Sequence, residues 1–208
     1  MLDKTLAKIR RYIPTRVFSF FQPAYHYCLT LLAAVIYRFP SRKIKVIGVT
    51  GTKGKSTTTE IINALLEEAG YKTALSNTIR YKVGNESTDN KFKMSMPGRF
   101  FVQRLIRKAV NAKCDYIVLE MTSQGTLQFR HKFINLDTFI FTNLSPEHID
   151  SHGSYENYVQ AKLAIARAKT IIVNADDKEH PRFLECKSEK KATYSVKDAE
   201  PYTIKAEG

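Results

Sequence analysis

The fold is decided by the stretch Gly48-Val49-Thr50-Gly51-Thr52-Lys53-Gly54-Lys55-Ser56, which has the glycines and the Gly-Lys-Ser ending of a phosphate loop of the G-x-x-x-x-G-K-S/T kind. Apolar residues lead into it from Ile44 as a short strand, and apolar residues recur after it, from Ile61 to Leu66, at helical spacing. The stretch therefore predicts a loop between a strand and a helix N-terminus, where glycine N–H groups and the helix dipole attract phosphate. We predict that the chain binds a nucleoside triphosphate, with Lys55 on the β- and γ-phosphates and Ser56 on Mg²⁺.

Strand and helix patterns alternate through the rest of the chain. Strands are predicted at 72–76, 115–121, 137–142 and 170–174, helices from the loop to Gly70, from Pro97 and from Ser154 to Ala168, and a loop or hairpin at 83–93. The strands are continuously apolar, as in buried parallel sheets. We predict an α/β fold with a mostly parallel sheet, helices on both faces, and ligands at the C-terminal ends of its strands.

Residues 1–43 differ from the rest in charge and hydropathy. The formal charge of the chain is +13, and nine Lys or Arg residues against one Asp precede Val46. The apolar region 17–39 is interrupted by Gln22, Pro23 and His26, which leaves less than the roughly 20 residues of a bilayer crossing. We predict a short apolar helical segment, a hairpin broken at Pro23 that packs on its own domain or a partner; a helix lying at a lipid interface is the alternative.

The composition bounds the partners and the compartment. Cys28, Cys114 and Cys186 are odd in number and far apart, which indicates a reducing compartment and neither a disulfide framework nor a zinc site. The basic balance suits an anionic substrate or membrane surface, and since no nucleic-acid motif is present we predict no nucleic-acid partner. We expect a cytoplasmic protein. If residues 1–43 bind lipid, we expect it to attach to the inner face of the membrane.

Glu120, His148 and Lys162 form a constellation with the phosphate loop. Glu120 ends a predicted strand, where a carboxylate can hold Mg²⁺ or pair with a basic side chain. His148 and His152 are spaced for one face of a helical turn; this spacing occurs in zinc sites, but a third ligand is missing and a surface turn is the alternative. Lys162 lies at helical spacing from Tyr158.

These motifs resemble, in their order, those of the Mur ligases, ATP-dependent enzymes that extend the peptide of the bacterial cell-wall precursor. The resemblance is carried by the runs 50–57, 120–123, 143–153 and 158–162. The run from His148 to Gly153 is most like the UDP-N-acetylmuramoyl-tripeptide synthetase branch. The likeness covers roughly 44–208, which the resemblance identifies as the central ATP-binding domain, incomplete at its C-terminal end.

The resemblance also implies the roles of individual residues. ATP would contact the loop and one amide: Gly51, Thr52, Lys53, Gly54, Lys55, Ser56, Thr57 and Asn143. Magnesium would be held by Ser56, Glu120, His148 and Lys162, the last carbamylated by carbon dioxide. The residues implied in catalysis are Lys55, Glu120, His148 and Lys162. A nucleotide-sugar peptide would contact Ser95, Met96, Pro97, Thr122 and Arg130.

The implied reaction forms an amide through an acyl phosphate, with an anionic nucleotide-sugar peptide and an amino acid as substrates. Residues 1–43 are too few for the usual uridine-binding domain, and we expect the amino-acid-binding domain in a longer chain or a partner. Three alternatives are a folylpolyglutamate-synthase-like ligase, a ligase that amidates a lipid-linked precursor, and a non-catalytic ATP-binding module. The run from His148 to Gly153 argues against the first two.

Overall fold

A computed structural model describes residues 15–147 and 152–197, with side chains described from residue 21 onward. The helices are α1 (Thr15–Ile36), α2 (Lys55–Glu68), α3 (Arg99–Asn111), α4 (Ser123–Leu127), α5 (Tyr155–Leu163) and α6 (His180–Leu184), with a 3₁₀ turn at Pro40–Arg42. The strands are β1 (Lys45–Thr50), β2 (Thr73–Ser76), β3 (Arg80–Val83), β4 (Glu86–Asp89), β5 (Tyr116–Glu120), β6 (Leu136–Phe141), β7 (Ala168–Asn174) and β8 (Lys190–Tyr194).

The strands of the described part form one sheet in the order β4-β3-β2-β5-β1-β6-β7-β8. β2, β5, β1, β6, β7 and β8 are parallel neighbours, and β3 and β4 extend one edge as an antiparallel hairpin. The predicted mostly parallel sheet is thus confirmed. The segment 83–93, predicted as a loop or a hairpin, contains β4, the second strand of the hairpin. β1 lies between β5 and β6, so the ends of these three strands meet at one edge.

Helices cover both faces of the sheet, as predicted. On one face α2 lays Ile62 and Leu66 over the inward side chains of β1, β2 and β5. The other face carries the larger core, to which α3, α5 and α6 contribute buried side chains, among them Ile106, Val159 and Phe183. Burial of each large apolar side chain is worth about 1.5–3 kcal/mol relative to exposure, which holds both layers on the sheet.

The prediction of a helical hairpin broken at Pro23 is wrong. α1 is one helix from Thr15 to Ile36, with Pro23 inside it. Proline removes one main-chain donor and costs a helix interior about 3 kcal/mol. The C-terminal half of α1 is nevertheless held by the domain, because Ala33 and Ala34 are fully buried. Tertiary packing therefore outweighs the local preference of Pro23.

α1 and the residue that follows it are anchored to α3 and to the loop before β6 by polar and aromatic contacts. Arg107 of α3 donates from Nε and Nη2 to the Tyr37 carbonyl oxygen, at 3.0 and 2.7 Å. Tyr27 meets Phe133 edge to face, with ring centroids 5.3 Å apart. Within the described residues, α1 and the other helices are too short or too polar to cross a bilayer.

Two helix boundaries differ from the predicted ones. α3 begins at Arg99, two residues after Pro97. α5 begins after its predicted N-cap, because Ser154 Oγ accepts the Asn157 N–H at 3.1 Å, but it ends at Leu163 and not at Ala168. Buried Ile165 and Ala166 continue the apolar pattern through a tight turn into β7. The sequence pattern therefore does not indicate where α5 ends, since the residues of the turn are apolar and buried like those of the helix.

Candidate active site

The loop between β1 and α2 follows directly from its glycines. Gly54 has φ +75°, a left-handed conformation that favours glycine, and serves as the N-cap of α2. A Cβ on Gly51 would lie 1.9 Å from Thr142 Oγ1 and 3.2 Å from the Asn143 main chain, so only glycine fits there. The predicted pattern needs one correction: five residues separate Gly48 from Gly54, one more than the pattern allows, and Gly48 belongs to β1.

Lys55 and Ser56 are the first two residues of α2. Lys55 Nζ donates to the Thr52 carbonyl oxygen at 2.7 Å, so the ammonium lies on its own loop. Burial lowers the pKa of Lys55 below its usual value, while Glu120 acts in the opposite direction. Ser56 Oγ donates to Glu120 Oε2 at 2.7 Å. The two residues predicted for phosphate and metal thus lie at the same helix N-terminus.

Glu120 is only 3% exposed at the end of β5, and its carboxylate accepts hydrogen bonds from three different elements. In addition to Ser56, the Thr78 N–H donates to Oε2 at 3.0 Å and the Thr78 hydroxyl to Oε1 at 3.1 Å. Ser95 Oγ donates to Oε1 at 2.6 Å. The alternative partner considered for Glu120, a Lys or Arg side chain, is not seen among the described ion pairs.

The side chain of Lys162 extends from α5 to the phosphate loop between β1 and α2. Its side chain is 1% exposed, Nζ donates to the Gly51 carbonyl oxygen at 2.7 Å, and the ammonium lies 5.0 Å from the centre of the Tyr158 ring. The Tyr158 hydroxyl lies 3.1 Å from Thr52 Oγ1. Burial, followed by the like charge of Lys55, lowers the pKa of Lys162 from 10.5 to about 7. Burial of this side chain therefore favours the neutral amine over the ammonium.

Asn143 braces the loop through its side-chain amide. Oδ1 accepts the Lys53 N–H at 2.9 Å, and Nδ2 donates to the Lys53 carbonyl oxygen at 3.0 Å. The Asn143 main-chain oxygen also accepts the Thr52 N–H, at 2.8 Å. These bonds fix residues 52 and 53, so Asn143 shapes the loop; its role toward a nucleotide stays a prediction. Thr57 lies on the first turn of α2.

The residues predicted for the second substrate line the same cavity of about 440 Å³ as the loop. Thr122 caps α4, since its hydroxyl accepts the Gly125 N–H at 3.2 Å. Arg130 donates from Nη1 to the Met96 carbonyl oxygen and from Nη2 to Gln128 Oε1 at 2.6 Å. The cavity wall is formed by Gly51, Thr52, Lys55, Thr78, Lys93, Met94, Ser95, Met96, Thr122, Ser123, Gln124, Gly125, Gln128, Arg130, Tyr158 and Lys162. Pro97 stands next to this wall.

His148 lies outside the described residues, so its predicted metal role is carried forward as a prediction. His152 is 7% exposed; its Nε2 lies 3.1 Å from Ser123 Oγ and its ring meets Tyr158 at 5.1 Å. In the described ranges, no three His, Cys, Asp or Glu side chains are grouped as a metal centre. The hard-cation donors that the site offers are therefore the adjoining oxygens of Ser56 and Glu120.

Two residues of this region were missed by sequence reasoning. Thr78 follows β2, and nothing in the local sequence indicates that its hydroxyl and N–H would both reach Glu120. Arg99 follows the 95–98 loop and contacts α1, where its Nη2 lies 2.7 Å from His26 Nδ1. The one signal that could have found Arg99 is its position shortly after Ser95, Met96 and Pro97, which the resemblance assigns to the second substrate.

Comparison with known proteins agrees with this geometry. The Mur ligase middle domain family matches residues 49–207. A UDP-N-acetylmuramoyl-L-alanyl-D-glutamate–2,6-diaminopimelate ligase of Clostridium botulinum is 36% identical over 169 residues, covering 81% of this chain and 35% of the relative. A UDP-N-acetylmuramyl-tripeptide synthetase of Roseiflexus sp. is 34% identical over 186 residues, covering 81% of this chain and 36% of the relative. The chain thus spans about a third of the length of these relatives.

Solved structures show the same fold. A UDP-N-acetylmuramoyl-L-alanyl-D-glutamate–2,6-diaminopimelate ligase superposes with a TM-score of 0.66 at 23% identity, over 74% of this chain and 32% of that protein. FolC of E. coli, in complex with ADP, superposes with a TM-score of 0.62 at 21% identity, over 93% of this chain and 50% of that protein. The match over 49–207 agrees with the phosphate loop and the parallel sheet. The chain therefore belongs to the Mur ligase middle domain family.

Proposed function

We propose that this chain is the ATP-binding part of a ligase that joins an amino acid to a UDP-N-acetylmuramoyl peptide in peptidoglycan-precursor synthesis. The observation that carries the proposal is the 2.7 Å contact between Ser56 at the start of α2 and the buried Glu120. Glu120 also binds Thr78 and Ser95, which line the cavity together with Lys55 and Lys162. The relatives named above are ligases by their names, and they support the choice of reaction.

The loop would bind the triphosphate. The first turn of α2 has N–H groups without intrahelical partners, and its dipole adds positive potential, so phosphate oxygens suit this position. Lys55 would exchange the Thr52 carbonyl oxygen for a phosphate oxygen. The brace from Asn143 supports the proposal, because it holds the main chain of Lys53 in place before any ligand binds.

Ser56 and Glu120 fit a magnesium ion, because both offer hard oxygen donors at one point. In our proposal His148 and a carbamylated Lys162 complete the ligands. When bound, Mg²⁺ would stabilise negative charge on phosphate oxygens. The protein's own part is positional: hydroxyls of Thr78 and Ser95 orient the Glu120 carboxylate.

The second substrate would occupy the rest of the cavity. We propose that Ser95, Met96, Pro97, Thr122 and Arg130 position its peptide carboxylate toward the loop. That carboxylate would attack the γ-phosphorus, break its bond to the β-phosphate oxygen and release ADP, which leaves an acyl phosphate. The neutral amino group of the incoming amino acid would then attack the acyl carbon, expel inorganic phosphate and lose a proton to give the amide. We propose that a further domain, in a longer chain or in a partner, binds the amino acid and that the domain at 44–208 supplies the ATP site.

The Lys55→Ala variant tests the nucleotide site. Removal of one charge-assisted contact to phosphate is expected to weaken Mg·ATP binding by at least about tenfold, measured by isothermal titration calorimetry on this chain, and to abolish ATP turnover by the complete ligase. The matched control is Lys190→Ala, which removes an exposed ammonium from β8 and should leave the affinity unchanged. Equal affinities for the unmodified chain and Lys55→Ala would refute the nucleotide site.

We further propose that Lys162 carries a carbamate formed with carbon dioxide. An ammonium cannot ligate a cation, whereas a carbamate presents anionic oxygens on the same side-chain stem. The environment supports this: Lys162 is buried, bonds to a main-chain carbonyl oxygen, and has no ion pair among the residues described. Its lowered pKa leaves part of the amine neutral, the form that reacts with carbon dioxide.

The carbamate can be observed directly. In ¹³C-bicarbonate, the unmodified chain should give a protein-bound carbamate carbonyl signal in ¹³C NMR spectra, and the Lys162→Ala variant should lack it because the acceptor amine is gone. Lys190→Ala, with its exposed lysine removed, should keep the signal. A signal of unchanged intensity in Lys162→Ala would exclude a carbamate at this residue.

We also propose that residues 1–43 contact an anionic membrane surface, at the cytoplasmic side, through the face of α1 that does not pack on the domain. Exposed apolar side chains recur at helical spacing on α1, namely Tyr25, Leu32, Val35 and Ile36, which are 43–55% exposed. Basic residues flank this stripe, among them Arg38 and Arg42. An apolar stripe with basic flanks suits the headgroup region of anionic lipids.

Vesicle flotation tests the membrane proposal. The chain is expected to float with vesicles that contain phosphatidylglycerol and to float less with phosphatidylcholine alone. The double variant Leu32→Asp/Val35→Asp should stay at the bottom, because two charges enter the apolar stripe. Leu65→Asp, which changes an exposed leucine of α2, should float like the unmodified chain. If the double variant floats equally well, the stripe does not bind lipid.

A further inference from the structure

Three cationic or basic side chains meet where α1 approaches the cavity. Arg99 Nη2 lies 2.7 Å from His26 Nδ1 and donates to the Gln128 carbonyl oxygen at 3.1 Å. Arg130 Nη2 donates to the Gln128 side-chain oxygen at 2.6 Å. Gln128 therefore holds both guanidinium groups beside each other, with the imidazole of α1 next to them.

This cluster lacks a neutralising acid. No described ion pair includes Arg99 or Arg130, and the Nε atoms of both are buried without a hydrogen-bond partner in the described part of the chain. Burial lowers the pKa of Arg130, and the charge of Arg99 lowers it further. The pKa of His26 is lowered by burial and then by the two arginines. Two half-buried like charges with unpaired Nε donors are costly unless an anion joins them.

The cluster is connected to the substrate cavity. A second cavity of about 270 Å³ lies between α1 and α4, lined by Gln22, Pro23, His26, Gln124, Leu127 and Gln128. Gln124 and Gln128 also line the main cavity, the one of about 440 Å³ whose wall includes residues of the phosphate loop. A ligand that fills the main cavity past Arg130 would therefore lie next to Gln128, which binds both arginines.

We propose that Arg99, with Arg130 and His26, forms a subsite for a phosphate or diphosphate group of the second substrate, and that α1 thereby contributes to substrate binding. Two guanidinium groups match a doubly charged oxyanion in charge, and their planar donor forks match its oxygens in geometry. A single carboxylate would neutralise only one of them. The inference rests on the proposed function in one respect, namely that the cavity is the substrate site.

Binding of inorganic pyrophosphate to the Lys55→Ala chain tests the subsite apart from the phosphate loop. In this background we expect calorimetrically measurable binding that Arg99→Ala weakens by about tenfold or more, the effect of a lost charge-assisted pair. His26→Ala should weaken it by a smaller factor. Arg99→Gln, which keeps a donor for the Gln128 carbonyl oxygen, gives the same comparison should Arg99→Ala fail to fold.

The matched control is Arg104→Ala, which removes an exposed arginine from the same helix and should leave binding unchanged. The subsite is overturned if pyrophosphate does not bind the Lys55→Ala chain, or if Arg104→Ala weakens binding as much as Arg99→Ala. Tighter binding of glutarate than of pyrophosphate would overturn the phosphate assignment. The ATP site is tested separately, by the effect of Lys55→Ala on Mg·ATP binding. Failure of one proposal therefore does not imply failure of the other.

Discussion

The site depends on one buried carboxylate and the hydroxyls that solvate it. Glu120 is removed from water at the end of β5, and an unpaired carboxylate in such a place would cost several kcal/mol. Ser56, Thr78 and Ser95 offset this cost with hydrogen bonds from three separate elements. The start of α2, the segment after β2 and the loop before α3 therefore meet at this carboxylate. This point is where the loop and the substrate wall of the cavity meet.

The parallel sheet explains why these elements converge. β1 pairs with β5 so that Val49 lies opposite Glu120, and β1 pairs with β6 so that Thr50 lies opposite Phe141. The carboxyl ends of all three strands consequently open on the same edge, where open α/β sheets bind ligands. Lys55 and Lys162 both donate to carbonyl oxygens of the loop. The positive charge of Lys55 near the helix N-terminus prepares the cavity for an anion.

Much of this arrangement was predictable from local patterns. The strand, loop and helix from Ile44 onward were predicted because their apolar periodicity and glycines are strong local signals, and Glu120 was found because it ends a buried strand. The contact of Thr78 with Glu120 and that of Arg99 with His26 could not be found in this way, since they join residues far apart in the chain. Pro23 misled the prediction for a related reason: its local preference is outweighed by packing of the second half of α1 against the domain.

The central claim is that Glu120 acts on a magnesium-bound nucleotide. The most direct test compares the ATP dissociation constant with and without Mg²⁺ for the unmodified chain and for Glu120→Gln, which keeps the size of the side chain and removes its charge. The exposed Glu86→Gln is the control. The account predicts that Mg²⁺ tightens ATP binding in the unmodified chain and in Glu86→Gln and has little effect in Glu120→Gln. An equal gain from Mg²⁺ in all three would contradict it.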